Sequence, residues 1–168
     1  MKHETKEIAL GKDKTAKLRY IPPKRISTEA QLVIQEIMLD LRVANIYPNK
    51  MQELESIRNV CRKGDMVSIR LPRVDLAIRD KSNSVCLFMI RQPYKNQSRY
   101  DKYKRTLLEW AAVMLADNPE TDIHTCIAIP SNPDYPRPYS RWRIAGMLDM
   151  KYELKVAEEF WDFLDSNN

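Results

Sequence analysis

Residues 73–92 read RVDLAIRDKSNSVCLFMIRQ. Two alternating runs, Arg73–Arg79 and Val85–Arg91, flank the polar stretch Asp80–Ser84, a pattern that predicts an antiparallel hairpin. With the turn centred on Ser82, Asp75 faces Met89 and Arg73 faces Arg91. Side chains alternate between the faces of a sheet. Asp75, Ala77, Leu87, Met89 and Arg91 then share one face, and Val74, Leu76, Ile78, Cys86, Phe88 and Ile90 share the other. A single carboxylate among apolar groups on a covered face needs a cation or a set of donors to hold it there. Arg91 lies one diagonal step away across the hairpin, within reach of Asp75. An Asp75–Arg91 ion pair is therefore expected.

Downstream of the hairpin and the loop Pro93–Ser98, apolar spacing predicts a long helix over Arg99–Ala116, with Leu107, Trp110, Ala111, Met114 and Leu115 inward. Asp117-Asn118-Pro119 ends it. Ile123–Ile129 reads as a buried strand, followed by a proline-rich loop over 130–138. Glu153–Leu164 reads as a closing helix with Val156, Phe160, Phe163 and Leu164 inward. Upstream, Met66–Leu71 is expected as a strand, cut off by Pro72. Two amphipathic helices precede it. The first is capped by Thr28 with Gln31 and runs to Tyr47-Pro48, and the second starts at Asn49. Lys63-Gly64-Asp65 is a turn. A strand, a helix and a strand in succession imply a right-handed crossover and a parallel pair. The class is α/β: a mixed sheet of about four strands flanked by helices, in the order α-α-β-β-β-α-β-α.

The 168 residues suffice for one core-bearing domain. We place that domain at 27–168, behind a flexible basic arm at 1–26 that holds at most a short strand at Ala16–Tyr20. The arm has eight Lys/Arg against three acids, whereas the remainder holds twenty of each. A second basic strip, Arg91–Arg105, interleaves Arg91, Lys95, Arg99, Lys102, Lys104 and Arg105 with Tyr94, Tyr100 and Tyr103. Such a strip suits the phosphates of a nucleic acid, and equally describes a solvated helix face over a tyrosine-sealed core edge. Arg137 and Arg141, in the longer loop Asn132–Arg143, are further candidates for contact with DNA or protein. Trp142 in the same loop is expected to be buried. The acidic closing helix would repel DNA and should point away from it. No run reaches the length of a membrane span. Cys61, Cys86 and Cys126 fit reduced core residues of a cytoplasmic protein, and two histidines make a zinc site unexpected.

Three carboxy-terminal stretches resemble type II restriction endonucleases of the TdeIII kind: KRTLLEW at 104–110, IAIPSNPDYPRPYSRW at 127–142 and GMLDMKYELKVAEEFWDFL at 146–164. With the hairpin, the resemblance covers about residues 70–164. It implies the restriction-endonuclease-like fold and a PD-(D/E)xK site, in which Asp and Glu hold Mg²⁺ and Lys serves the attacking water. On that pattern Asp75 fills the first acid's place. Met89 stands where Glu is expected, and Arg91 where Lys is expected. A thioether is a poor ligand for Mg²⁺, and a guanidinium that never loses its proton is no base. Glu109, and with less support Asp101, is a candidate for an acid that has migrated to the following helix.

These residues support three expectations. The first is a relative of type II site-specific DNA endonucleases that has lost its metal centre and takes no cofactor. It would act by binding nucleic acid or within a protein assembly. The second is an active Mg²⁺-dependent DNA phosphodiesterase using Asp75, Arg91 and a migrated Glu109, alone or as a homodimer. The third is a structural subunit with no nucleic-acid role.

Overall fold

The hairpin of residues 73–92 lies in the middle of a six-stranded sheet. The computed structural model describes residues 7–9, 14–92, 97–141 and 144–165. Along the chain they form β1 (Glu7–Ala9), β2 (Lys14–Tyr20), β3 (Arg25–Ser27), α1 (Thr28–Arg42), α2 (Lys50–Val60), β4 (Met66–Ser68), β5 (Val74–Asp80) and β6 (Ser84–Ile90). They continue with α3 (Gln97–Asp117), β7 (Asp122–Ile129), β8 (Leu154–Val156) and α4 (Glu158–Asp165). The large sheet has the order β1-β2-β5-β6-β7-β8. The pairs are antiparallel as far as β6; β6–β7 and β7–β8 are parallel.

The hairpin has the register expected of it, with Leu76 opposite Phe88, Ala77 opposite Leu87 and Ile78 opposite Cys86. Its turn is fixed by Asp80, whose Oδ1 accepts hydrogen bonds from the Ser82 and Ser84 amides (2.9 and 3.1 Å) and from the Ser82 hydroxyl (2.6 Å). Asn83 takes the left-handed conformation (φ 65°), which a short polar side chain tolerates. The strand faces also separate as the alternation requires. Ala77, Leu87 and Met89 join the core under α1, α2 and α3, together with Ile34, Met38, Ile57, Leu107, Leu108 and Ala111. Leu76, Ile78, Cys86 and Phe88 face the opposite side, with Cys126 and Phe160. There Phe88 meets Phe160 and Phe163 edge to face, at 5.4 and 5.3 Å between centroids. Val74 is the exception and packs with the helix-side core.

The largest departure from the sequence reading concerns the first strand of the sheet. Met66–Leu71 was expected as a first strand ahead of the hairpin. Instead β4 covers only Met66–Ser68 and pairs with β3 in a separate two-stranded sheet. The place beside β5 belongs to Lys14–Tyr20, a seven-residue strand from the stretch expected as a flexible arm. The strand carries two lysines and an arginine, and only Ala16 is buried while Leu18 is exposed, so it shows no apolar alternation. The observed order β-β-β-α-α-β-β-β-α-β-β-α thus has more strands than the expected one. A second correction falls at the carboxy terminus. Leu154–Val156 is a strand that extends the parallel side of the sheet, so the closing helix begins only at Glu158.

Smaller differences have local causes. Ser27, not Thr28, caps α1 by accepting from the Ala30 amide at 3.0 Å, and the Thr28 hydroxyl accepts from the Asp65 amide. That contact closes the Lys63–Asp65 turn, where Gly64 has φ 78° and a side chain would collide with Thr28. Asn49 caps α2 as expected. The three cysteines are buried and free. No described helix is long and apolar enough to cross a membrane.

Candidate functional site

Asp75 is the second residue of β5 and Arg91 follows β6, and the strand register sets them side by side. The expected ion pair is present, with Arg91 Nη1 2.9 Å from Asp75 Oδ2. The same carboxylate oxygen accepts from the Ile90 amide at 2.8 Å. Two further contacts hold the guanidinium, and a third fixes the Arg91 backbone. Nη1 donates to the Ile90 carbonyl at 2.7 Å, the Arg91 amide donates to the Ala128 carbonyl of β7 at 2.9 Å, and Cζ sits 5.2 Å from the centre of the Tyr103 ring. Trp110 on α3 donates to the Pro72 carbonyl at 3.1 Å and so ties the chain leading into β5 to that helix.

This arrangement does not fit a magnesium ion. Mg²⁺ requires several hard oxygen ligands in octahedral geometry. Here Asp75 supplies one carboxylate, half of which already serves Arg91 and a backbone amide. Met89 is 1 % exposed and belongs to the core below α3. Among the described residues no three acids, histidines or cysteines converge in a way that could hold a metal. The candidate migrated acids are placed elsewhere. Asp101 receives two hydrogen bonds from Arg42 of α1, at 2.8 and 2.9 Å. Glu109 faces a cleft shared with Gln31, Gln35 and Arg105, which neither Asp75 nor Arg91 lines. Burial raises the Glu109 carboxyl pKa against the opposing pull of Arg105.

Because both partners of the Asp75–Arg91 pair are about one-third exposed, its contribution to stability is modest. Asp75→Ala is expected to cost only about 1 kcal/mol in urea unfolding, chiefly through the unpaired Ile90 amide. A loss above roughly 3 kcal/mol would show that the pair behaves as a buried one.

The surroundings of the pair are basic. Tyr20 pairs with Val74 and Ile90 with Ala128, so the end of β2, the start of β5 and the ends of β6 and β7 lie at one edge of the sheet. Exposed Arg19 and Arg73, neither singled out from the sequence, therefore join Arg91 at that edge, where α3 also begins. Arg99 and Lys102 are exposed on the first turns of α3, and Arg105 is half-buried. Arg137 is exposed in the loop that follows β7. This loop is braced internally by Asn132 and Asp134: Asn132 Nδ2 donates to the Arg137 carbonyl (2.6 Å), and the Ser140 amide donates to Asp134 (3.0 Å). Arg141 leaves the strip, since it pairs with Glu159 of the acidic α4. Lys95 and Trp142 lie outside the described residues.

Lys104 requires correction. Expected on the solvent-facing strip, it is 0 % exposed and bonded to Glu53 of α2 (2.6 Å) and to Glu153 before β8. Lys50 completes the cluster from the first residue of α2, bonding Glu153 at 2.9 Å and the Thr125 hydroxyl of β7 at 2.6 Å. Two lysines and two glutamates thus neutralise one another inside the core. Burial raises the Glu153 pKa, but Lys50, Lys104 and the Asp149 amide together outweigh it and hold the carboxyl below its ordinary value. One half of the cluster left a trace in the sequence. Glu53 stands four residues after the capping Asn49 and accepts from its amide. The other half left none, because Glu153 stood in what read as a helix.

A family model described as "Type II restriction endonuclease, HinfI" matches residues 4–168. No curated protein matches the chain, and no solved structure does.

Proposed function

The chain belongs to the HinfI family of type II restriction endonucleases, and from that membership we propose that it is a DNA-binding protein whose metal centre has given way to the Asp75–Arg91 ion pair. The observation that carries this reading is the 2.9 Å contact itself, made by a carboxylate and a guanidinium at two positions of the PD-(D/E)xK pattern while the third, Met89, is sealed in the core. A narrower kinship with type II enzymes of the TdeIII kind is supported by the likeness of residues 104–110, 127–142 and 146–164. A restriction-endonuclease-like core is supported by the antiparallel β2–β5–β6 meander and the α3 crossover to parallel β7. Unlike in the order expected from the sequence, the strand beside β5 comes before the helices rather than after them.

DNA would lie across the sheet edge that carries Arg19, Arg73, Arg99, Lys102 and Arg137, with Arg91 able to add a phosphate contact if its pair with Asp75 opens. Binding driven by phosphate neutralisation weakens steeply with salt. Fluorescence anisotropy on a mixed-sequence duplex is expected to show this dependence between 50 and 200 mM salt, values of the order used to measure such slopes. The triple variant Arg99→Gln/Lys102→Gln/Arg137→Gln should lower the log–log slope by up to about 3. Plasmid should remain intact in Mg²⁺ or Mn²⁺. Salt-independent or absent binding would favour a structural subunit. Nicking that disappears on Asp75→Ala would instead establish an active phosphodiesterase.

A further inference from the structure

On the sheet face away from α3, and toward the hairpin turn rather than the Asp75 edge, lies a cleft of about 190 Å³. Its floor is apolar and thiol-bearing, made by Ile78, Cys86, Cys126 and the Phe163 ring. Three lysines border it from separate parts of the chain: Lys14 at the start of β2, Lys151 before β8 and Lys155 within β8. Each ammonium group lies over an aromatic ring, and Lys14 also faces Asp80, its cross-strand partner. Lys14 and Lys155 lie 5.5 and 5.0 Å from the centre of the same ring, Phe163, and Lys151 lies 5.1 Å from Tyr152. Among the described residues none of the three forms an ion pair with a carboxylate.

Asp80 is the one carboxylate among the described residues lining the cleft. Its Oδ1 is occupied by the hairpin turn; the Ser82 hydroxyl above all, with the Ser82 and Ser84 amides and the charge of Lys14, holds it below the usual carboxylate range, so it offsets at most one of the three lysines. His124, also at the wall, pairs with Asp122 at 3.1 Å. The cleft therefore keeps a surplus of positive charge. Two like charges gathered on one ring are mutually unfavourable unless an anion neutralises both.

We propose that this cleft is a binding site for a phosphate monoester on a small organic group, the dianion bridging Lys14 and Lys155 while the organic part rests on Ile78 and Phe163. Three cations suit a dianion better than a single carboxylate. The apolar floor leaves room for more than inorganic phosphate. The site is separate in both face and sheet end from the Asp75–Arg91 edge, so it stands independently of how that edge functions. A free metabolite such as a mononucleotide and the 5′-phosphorylated end of a DNA strand present the same chemistry.

Isothermal titration of the full chain with deoxyadenosine monophosphate, deoxyadenosine, inorganic phosphate and 5′-phosphorylated or 5′-hydroxyl duplexes distinguishes these sources. The monophosphate is expected to bind and deoxyadenosine not to. Lys14→Gln/Lys155→Gln should weaken binding by at least about tenfold, as expected for losing charge-assisted hydrogen bonds. Lys151→Gln, at an exposed position, gives a second reading should the double variant fail to fold, and a smaller loss is expected there. A duplex that binds more tightly when 5′-phosphorylated, with a preference erased by the same variants, assigns the site to DNA ends. A free nucleotide that binds with no such duplex preference assigns it to a small phosphate ester. The proposal fails if neither phosphorylated species binds, or if binding is unchanged in the lysine variants.

Discussion

Glu153→Gln is expected to lower stability by about 3–5 kcal/mol, the usual cost of removing one member from a buried ionic cluster. For a chain of this size that corresponds to a fall of roughly 10 °C in Tm. Glu153 is 0 % exposed and accepts from Lys50, Lys104 and the Asp149 amide. Neutralising it leaves two buried ammonium groups sharing the single charge of Glu53. Lys104→Met should be comparably harmful, because it leaves Glu53 and Glu153 with Lys50 as their only cation. Glu53→Gln/Lys104→Met removes one charge of each sign and keeps an acceptor for the Asn49 amide, so it should cost less than Lys104→Met alone. If the double variant is the less stable of the two, charge balance is not what the cluster provides. The cluster also sets a pH dependence. Glu153's folded pKa lies below its ordinary value of 4.5. Its contribution is thus complete above that value and is lost as pH falls through the lower folded value. Urea midpoints measured at neutral pH and again below pH 4.5 should converge for wild type and Glu153→Gln at the acid end.

The same cluster shows where the sequence was legible and where it was not. Period-two alternation and a polar turn reveal the hairpin because its register is dictated by local chemistry, and the Asp75–Arg91 pair follows from that register alone. The α3 crossover is legible for a similar reason, since its apolar stripe runs over many turns. Lys14–Tyr20 was legible only in part: a short strand at Ala16–Tyr20 was allowed for, but not its length or its place beside β5. Only Ala16 of this strand is buried, and the strand gains its place through ladder hydrogen bonds to β5 rather than through an apolar stripe. Lys104 was misplaced because its sequence neighbours are basic and exposed. Its burial depends on Glu53 and Glu153, dozens of residues away on either side, which no local pattern connects. Leu154–Val156 is too short to carry a period of its own and is a strand because β7 offers a free edge.

If the metal centre has been lost as proposed, Met89→Glu/Arg91→Lys is expected to nick plasmid in Mg²⁺ or Mn²⁺ where the parent leaves it intact. Arg91 satisfies Asp75, so no cation is needed there, and Met89 satisfies the core, so no second acid is present. Replacing Arg91 by Lys removes the planar fork and frees the outer face of Asp75. The substitution at Met89 sets a second carboxylate on the neighbouring strand, on the same face as Asp75. Two carboxylates and an ammonium group then meet the requirements of a hydrated hard cation and of a charge-stabilising neighbour for the attacked phosphate. Cleavage on the order of 100-fold above the parent is expected from restoring such groups, and Asp75→Ala in the same background should abolish it. A glutamate at position 89 enters a site that is 1 % exposed, so the variant should be less stable than the parent without metal. Added Mg²⁺ or Mn²⁺ should return part of that loss as a rise in Tm, which the parent would not show. Arg91→Lys alone should give neither effect. If the double variant folds, gains no metal-dependent Tm and leaves plasmid intact, the Asp75 edge is not a former metal centre. The ion pair would then be an original feature of the hairpin and not a replacement.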